Sequence, residues 1–125
     1  MKNWSDPEVT DQVKAFYLGL SEGDRDLFVV AVERLAEVGP TLGRPTVAEI
    51  DLSRERAALR DALPHLKELR VGSSIRVLFT FGPDRVPVLL VAGDKHGDWS
   101  RWYPRAISEA ARAYAEYLDD TGLGR

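Results

Sequence analysis

The 125 residues include no cysteine, so neither a disulfide framework nor a thiolate metal site can hold the chain together. A lack of thiols fits a reducing compartment, and a cytoplasmic protein is expected. Long apolar runs are missing as well. No stretch approaches the roughly 18 residues needed to span a bilayer, so no membrane partner is expected. Residues 1–7 are polar, with Trp4 and Asp6 where a secretory leader would have an apolar core. Histidine is scarce: His65 and His96 stand far apart among scattered carboxylates, which makes no recognisable metal site, and no cofactor is expected. Gly93 and Gly97 lack the flanking pattern of a phosphate-cradling loop, and no serine-triad signature occurs. A basic excess is also lacking. The net charge is −3, which argues mildly against nucleic-acid binding if charge is spread evenly.

It is not spread evenly. Residues 67–105 hold seven basic side chains (Lys67, Arg70, Arg76, Arg85, Lys95, Arg101, Arg105) against four acidic ones. That region is +3 and the remainder −6. A basic region on an acidic body can still meet a phosphate backbone, although ordinary solvated charge explains the same count.

The apolar periodicity predicts a helix over residues 8–20, started by Asp6-Pro7, and a second over 24–38, stopped by Gly39-Pro40. Residues 41–46 read as a loop. Ile50 and Leu52 form a short extended stretch, and 53–63 read as a helix capped by Ser53. The period then becomes that of strands, over 66–71, 75–81 and 86–92, joined by short turns at Gly72 and at Gly82-Pro83. Residues 93–104 read as an irregular loop rich in aromatics, 107–118 as a last helix, and 119–125 as a loose tail. The expectation is one α+β domain over residues 1–125: a small antiparallel sheet with two N-terminal helices on one face, and a C-terminal helix. Leu35, Phe79, Phe81, Val88 and Leu90 are its expected core.

Alternation places Ile75, Val77, Phe79 and Phe81 on the core face of their strand, so Arg76 points to the other face, expected to be wet. The tight hairpin brings Arg70 close to Arg76, with Glu68 on the same face. Two guanidiniums there make a phosphate clamp, and a carboxylate beside them can act as a base. A solubilising Arg–Glu pair accounts for the same spacing. Lys95 follows the third strand and can neutralise charge on a transferring phosphoryl group, with Gly93-Asp94 turn chemistry as the plainer reading. His96 adjoins Lys95 and is an acid/base candidate. Tyr103 is a candidate acid or stacking platform. Trp99 and Trp102 are stacking candidates, although all three aromatics can equally pin the loop to the core. Lys67 and Arg101 are the remaining candidate substrate contacts.

In order and spacing, LGRP (42–45), LKELR (66–70), IRVLFTF (75–81) and LLVAGDKHGDWSRWY (89–103) resemble the phage-derived HigB branch of the RelE toxin superfamily. The resemblance implies a RelE-like fold and a metal-independent endoribonuclease that cuts mRNA, usually on the ribosome, by attack of a ribose 2′-OH on the adjacent phosphate. It also implies a HigA-like helix-turn-helix antitoxin, expected over the Arg70/Arg76 face. Arg70 matches the arginine closing the family's active strand, and Arg76 the arginine expected at the scissile phosphate. Lys95 matches the basic residue after the last strand, and Tyr103 lies near a C-terminal catalytic tyrosine. Some RelE toxins have lysines where this chain has Leu66 and Glu68, which makes Glu68 the candidate base. Two other functions fit the same residues: a catalytically weak RelE-fold protein that binds an antitoxin and tunes transcription, and a module that stacks RNA on its WSRWY loop without cutting it.

Overall fold

The computed structural model describes residues 6–94 and 99–123. Among them the order is β1 (Glu8–Val9), α1 (Asp11–Leu18), α2 (Glu22–Val38), a 3-10 turn (Gly39–Thr41), β2 (Val47–Glu49), α3 (Ala57–Ala62), β3 (Lys67–Val71), β4 (Ile75–Phe81), β5 (Pro87–Asp94) and α4 (Trp99–Thr121). The architecture is α+β around one sheet, ordered β1-β5-β4-β3-β2. Strands β2 to β5 pair antiparallel, but β1 runs parallel to β5, with Glu8 opposite Val88. The sheet is therefore five-stranded and mixed, not the purely antiparallel sheet expected.

The N-terminus explains the difference. Asp6-Pro7 looks like a helix start, yet Glu8 and Val9 are extended and the helix begins only after Thr10. Thr10 Oγ1 accepts from the Val13 amide at 3.4 Å and donates to the Leu90 carbonyl at 2.9 Å. The Gln12 side-chain amide donates to the Ala92 carbonyl and accepts from the Ala92 amide, both at 2.9 Å. The open edge of β5 needs partners for its backbone groups. Pairing there outweighs the local helix signal.

Other boundaries shift for local reasons. Helix α2 starts at Glu22 rather than residue 24 because Ser21 Oγ caps the Asp24 amide at 3.2 Å. Gly39 ends it at φ 76°, a conformation that favours glycine. The Ser53 amide bonds Asp51 Oδ1 at 2.9 Å instead of starting a helix, so α3 is confined to Ala57–Ala62. The extended stretch expected at Ile50 and Leu52 lies slightly earlier, as β2. The Ile50 amide still bonds the Leu66 carbonyl at 3.0 Å. Helix α4 begins at Trp99, inside the expected loop, and runs to Thr121, past the start of the expected tail. Pro104 lies inside α4 and costs it one backbone donor, yet the helix continues, its next turns packed on the sheet through Ala106, Ile107 and Ala110.

Both sheet faces are covered. Val13 of α1 and Phe28 and Leu35 of α2 pack on Leu69, Val77, Phe79 and Leu89. On the other face Ala106, Ile107, Ala110 and Tyr114 of α4 pack on Leu78, Val88, Leu90 and Val91. A bulge opposite Leu78 and Phe79 inserts Leu90 as an extra residue in β5, so Leu90 and Val91 both face α4. Of the expected core, Leu35, Phe79, Val88 and Leu90 are buried and Phe81 is half-buried. Among the described residues no helix is long and apolar enough to cross a membrane.

Candidate active site

The β3–β4 hairpin turns through Gly72, Ser73 and Ser74, with Gly72 at φ 60°. Its register sets Arg70 directly opposite Arg76, and Glu68 opposite Leu78. Residues two apart on a strand share a face, so Glu68, Arg70 and Arg76 meet on the α4 side of the sheet. Arg70 Nε donates to Glu68 Oε2 at 3.2 Å, and Arg76 Nε lies 4.0 Å from the same oxygen. The N-terminal end of α4 closes the group: the Tyr103 hydroxyl donates to Glu68 Oε1.

This face is not wet where Arg76 lies. The Arg76 side chain is 8% exposed and the Arg70 side chain 34%. The expectation of a solvated Arg76 is corrected, because α4 covers the second face of β4 just as α1 and α2 cover the first. Burial turns the Arg76 guanidinium along the hairpin: Nη1 donates to the Ile75 carbonyl at 2.8 Å and Nη2 to the Ser73 carbonyl at 3.4 Å. Arg76 therefore braces the turn as well as facing Glu68, and its loss would be felt in packing.

Opposite Arg76 on β5 stands Gly93. A methyl group there would collide with the Trp102 indole, so the indole rests directly on the Gly93 backbone. Trp102 in turn meets Tyr103 edge-to-face, with centroids 4.9 Å apart at 77°. Gly93 reads in the sequence as a turn glycine. Its seat for Trp102 is visible only once its register with Arg76 is known. Tyr103 is held well above the usual tyrosine range, first by burial and then by its hydrogen bond to Glu68. It stays a neutral phenol, a donor and not a base.

Not every candidate reaches this group. Lys67 lies on the opposite face, opposite Phe79, where its ammonium donates to the Pro40 carbonyl at 3.2 Å and lies 5.6 Å from the Phe81 ring centroid. It serves the helical side of the molecule. Arg101 is exposed on the first turn of α4. Lys95 and His96 lie outside the described residues, and of Trp99 only the backbone, as the first residue of α4, is described. Among the described residues no group of His, Asp and Glu could hold a metal ion. What the cluster can do chemically is bind an oxyanion between two guanidiniums, with a carboxylate and a phenol alongside.

The sequence of residues 15–115 matches the family described as Phage derived protein Gp49-like (DUF891). This chain belongs to that phage-derived, HigB-like family. Two relatives from Mycobacterium tuberculosis, the candidate toxins HigB2 and HigB3, are each 37% identical to it, over 112 and 108 residues. Each alignment covers 86% of this chain, but 52% of HigB2 and 88% of HigB3, so the chain spans about half the length of the first. No solved structure matches.

Proposed function

We propose that this protein is the toxin of a toxin–antitoxin pair and that it cuts mRNA, on the ribosome in the cytoplasm, through the cluster of Glu68, Arg70, Arg76 and Tyr103 on a RelE-like fold. The observation that carries this reading is the register pair Arg70–Arg76 with a carboxylate and a neutral phenol on the same face. The ribose 2′-oxygen attacks the adjacent phosphorus and the bond to the 5′-oxygen breaks, leaving a cyclic phosphate and a 5′-hydroxyl. Guanidiniums stay cationic at any cellular pH, so Arg70 and Arg76 bind the phosphate and hold the charge that grows on it. Glu68 takes the 2′-hydroxyl proton. Tyr103 donates a hydrogen bond to Glu68 at rest; during reaction it passes its proton to the leaving 5′-oxygen and is reprotonated by the proton that Glu68 took from the 2′-hydroxyl. A HigA-like helix-turn-helix antitoxin completes the pair.

A second reading draws on the burial of Arg76 and on the occupancy of Glu68 by Arg70 and Tyr103. A cluster whose carboxylate is already engaged also suits a weak or inactive relative that only binds its antitoxin and tunes transcription. Induced expression, followed by growth and by mapping of mRNA ends, separates the two. The purified protein is assayed in translation reactions. Growth arrest with new 5′-hydroxyl ends, both lost in Arg70→Ala, supports cleavage. Unimpaired growth and intact message would favour the regulator.

A further inference from the structure

On the side of the sheet away from Glu68 and the arginines, α1 and α2 do not close over their own core. Val13, Tyr17, Leu18, Phe28, Val29 and Val32 line an open groove of about 440 Å³ whose surface is almost wholly apolar. Two of these residues are strongly exposed: Leu18 is 69% and Val29 40% accessible. Isolated exposed apolar residues need no explanation, but a groove whose lining includes the exposed Leu18 and Val29 marks an interaction surface.

Charge identifies the occupant. Glu22, Asp26, Glu33 and Glu37 are all exposed, and their spacing puts them on one face of α2, the face that also carries Val29. The basic residues of this helix are exposed Arg34 and half-buried Arg25, against four exposed carboxylates, and Lys14 stands at the groove wall. A second copy of this chain fits poorly, because a two-fold contact would set each acidic stripe against its like. An amphipathic helix with apolar residues at helical spacing and lysines or arginines on its flank fits both the groove and the stripe.

We infer that this groove is the anchoring site for a cationic amphipathic helix of the antitoxin, the inference resting on the toxin–antitoxin reading above. Anchoring is then separate from the arginine cluster, which lies on the opposite face and is partly closed by α4. The groove supplies affinity, and another part of the antitoxin must reach the cluster to silence it.

The test measures binding of the co-encoded antitoxin to the full-length protein by calorimetry, with RNA cleavage assayed in parallel. The double variant Leu18→Lys/Val29→Lys alters exposed positions, so it should melt like the wild type while binding about 100-fold more weakly. Glu33→Lys/Glu37→Lys should lose roughly 10-fold and flatten the salt dependence. Arg70→Ala should bind within about threefold of wild type. Undiminished affinity in the double variant overturns the inference and leaves the toxin reading standing. An antitoxin that does not bind the wild type overturns it too. If sedimentation finds a wild-type dimer that the double variant dissolves, the groove joins two copies and the inference is wrong. Loss of the cleavage reading shows itself separately, as RNA left intact by every form.

Discussion

The two faces of the sheet are packed by different rules. Toward α1 and α2 the buried residues are apolar throughout: Val13, Phe28 and Leu35 against Leu69, Val77 and Phe79. Toward α4 the same strands carry Leu78, Val88 and Leu90 together with buried Glu68, Arg76 and Thr80. Thr80 is satisfied simply, by donating to the Pro64 carbonyl at 2.9 Å. Glu68 accepts from Arg70 and from Tyr103, while Arg76 faces it at 4.0 Å and donates to the carbonyls of Ile75 and Ser73. Hydrophobic burial tolerates no polar group without a partner, so the second face gives up plain packing to fix charged groups in place. One face holds the fold, and the other uses that rigidity.

The largest expected effect lies on the first face. Phe79 is fully buried and meets Phe81 edge-to-face at 5.7 Å. Phe79→Ala should lower unfolding free energy by about 3–5 kcal/mol, read from urea denaturation, with activity falling only as far as the folded population does. A loss under 1 kcal/mol would show that the face is not the stabilising one. Next comes Arg76. Removing one preorganised donor to a developing oxyanion typically costs about 100- to 1000-fold, or roughly 3–4 kcal/mol, in rate. Arg76→Ala should lose that much cleavage and also some stability, since the side chain is buried and braces Ser73 and Ile75. Arg76→Lys should keep part of the rate, as the charge survives without the guanidinium fork. Rate lost only in proportion to unfolding would make Arg76 a hairpin brace and nothing more.

A smaller effect tests the joint between β5 and α4. Gly93→Ala drives a methyl group into the Trp102 indole and should cost about 1–3 kcal/mol by overpacking. Combining it with Trp102→Ala should restore most of that loss, a coupling read from a double-mutant cycle. Additive losses would show that the indole does not rest on Gly93 in solution.

Much of this was legible in residue order. The strands at Lys67–Val71, Ile75–Phe81 and Pro87–Asp94 follow from alternation and from turn residues at Gly72 and Gly82, and alternation alone put Glu68, Arg70 and Arg76 on one face. What alternation could not give was the cover of that face. The spacing of Ala110, Tyr114 and Leu118 announces an amphipathic helix, and the near-continuous apolar run of β5 announces a strand buried on both sides. Together these two signals required α4 to lie where Arg76 was expected in water. β1 was hidden for another reason: two residues carry no periodicity, and their pairing depends on the distant edge of β5. Lys67 shares the LKELR motif with Glu68 and Arg70, but its odd position sends it to the opposite face.

The smallest effect concerns the latch between α4 and the sheet, and it has a defined sign with pH. Burial and the bond to Glu68 raise Tyr103 above its ordinary value of 10.0. Below about pH 10 the tyrosine is protonated in both folded and unfolded chains, and the stabilisation from its hydroxyl bond is fully present. As pH rises past that point the unfolded chain releases the proton while the folded chain keeps it, so stability falls until the folded-state value is reached. One such proton corresponds to a slope of about 1.4 kcal/mol per pH unit. Tyr114 and Tyr117 are raised by burial too, so some alkaline slope remains without Tyr103. Tyr103→Phe should therefore lose about 1 kcal/mol near neutral pH, the worth of one hydrogen bond. As pH rises past about 10 its stability should fall less steeply than the wild type's, so the two curves meet once the wild type has lost that roughly 1 kcal/mol, somewhat above about pH 10.5, and cross beyond it. Urea denaturation across that range reads both quantities. Parallel curves would mean that Tyr103 ionises as freely folded as unfolded, and that its hydroxyl does not bind the Glu68 carboxylate.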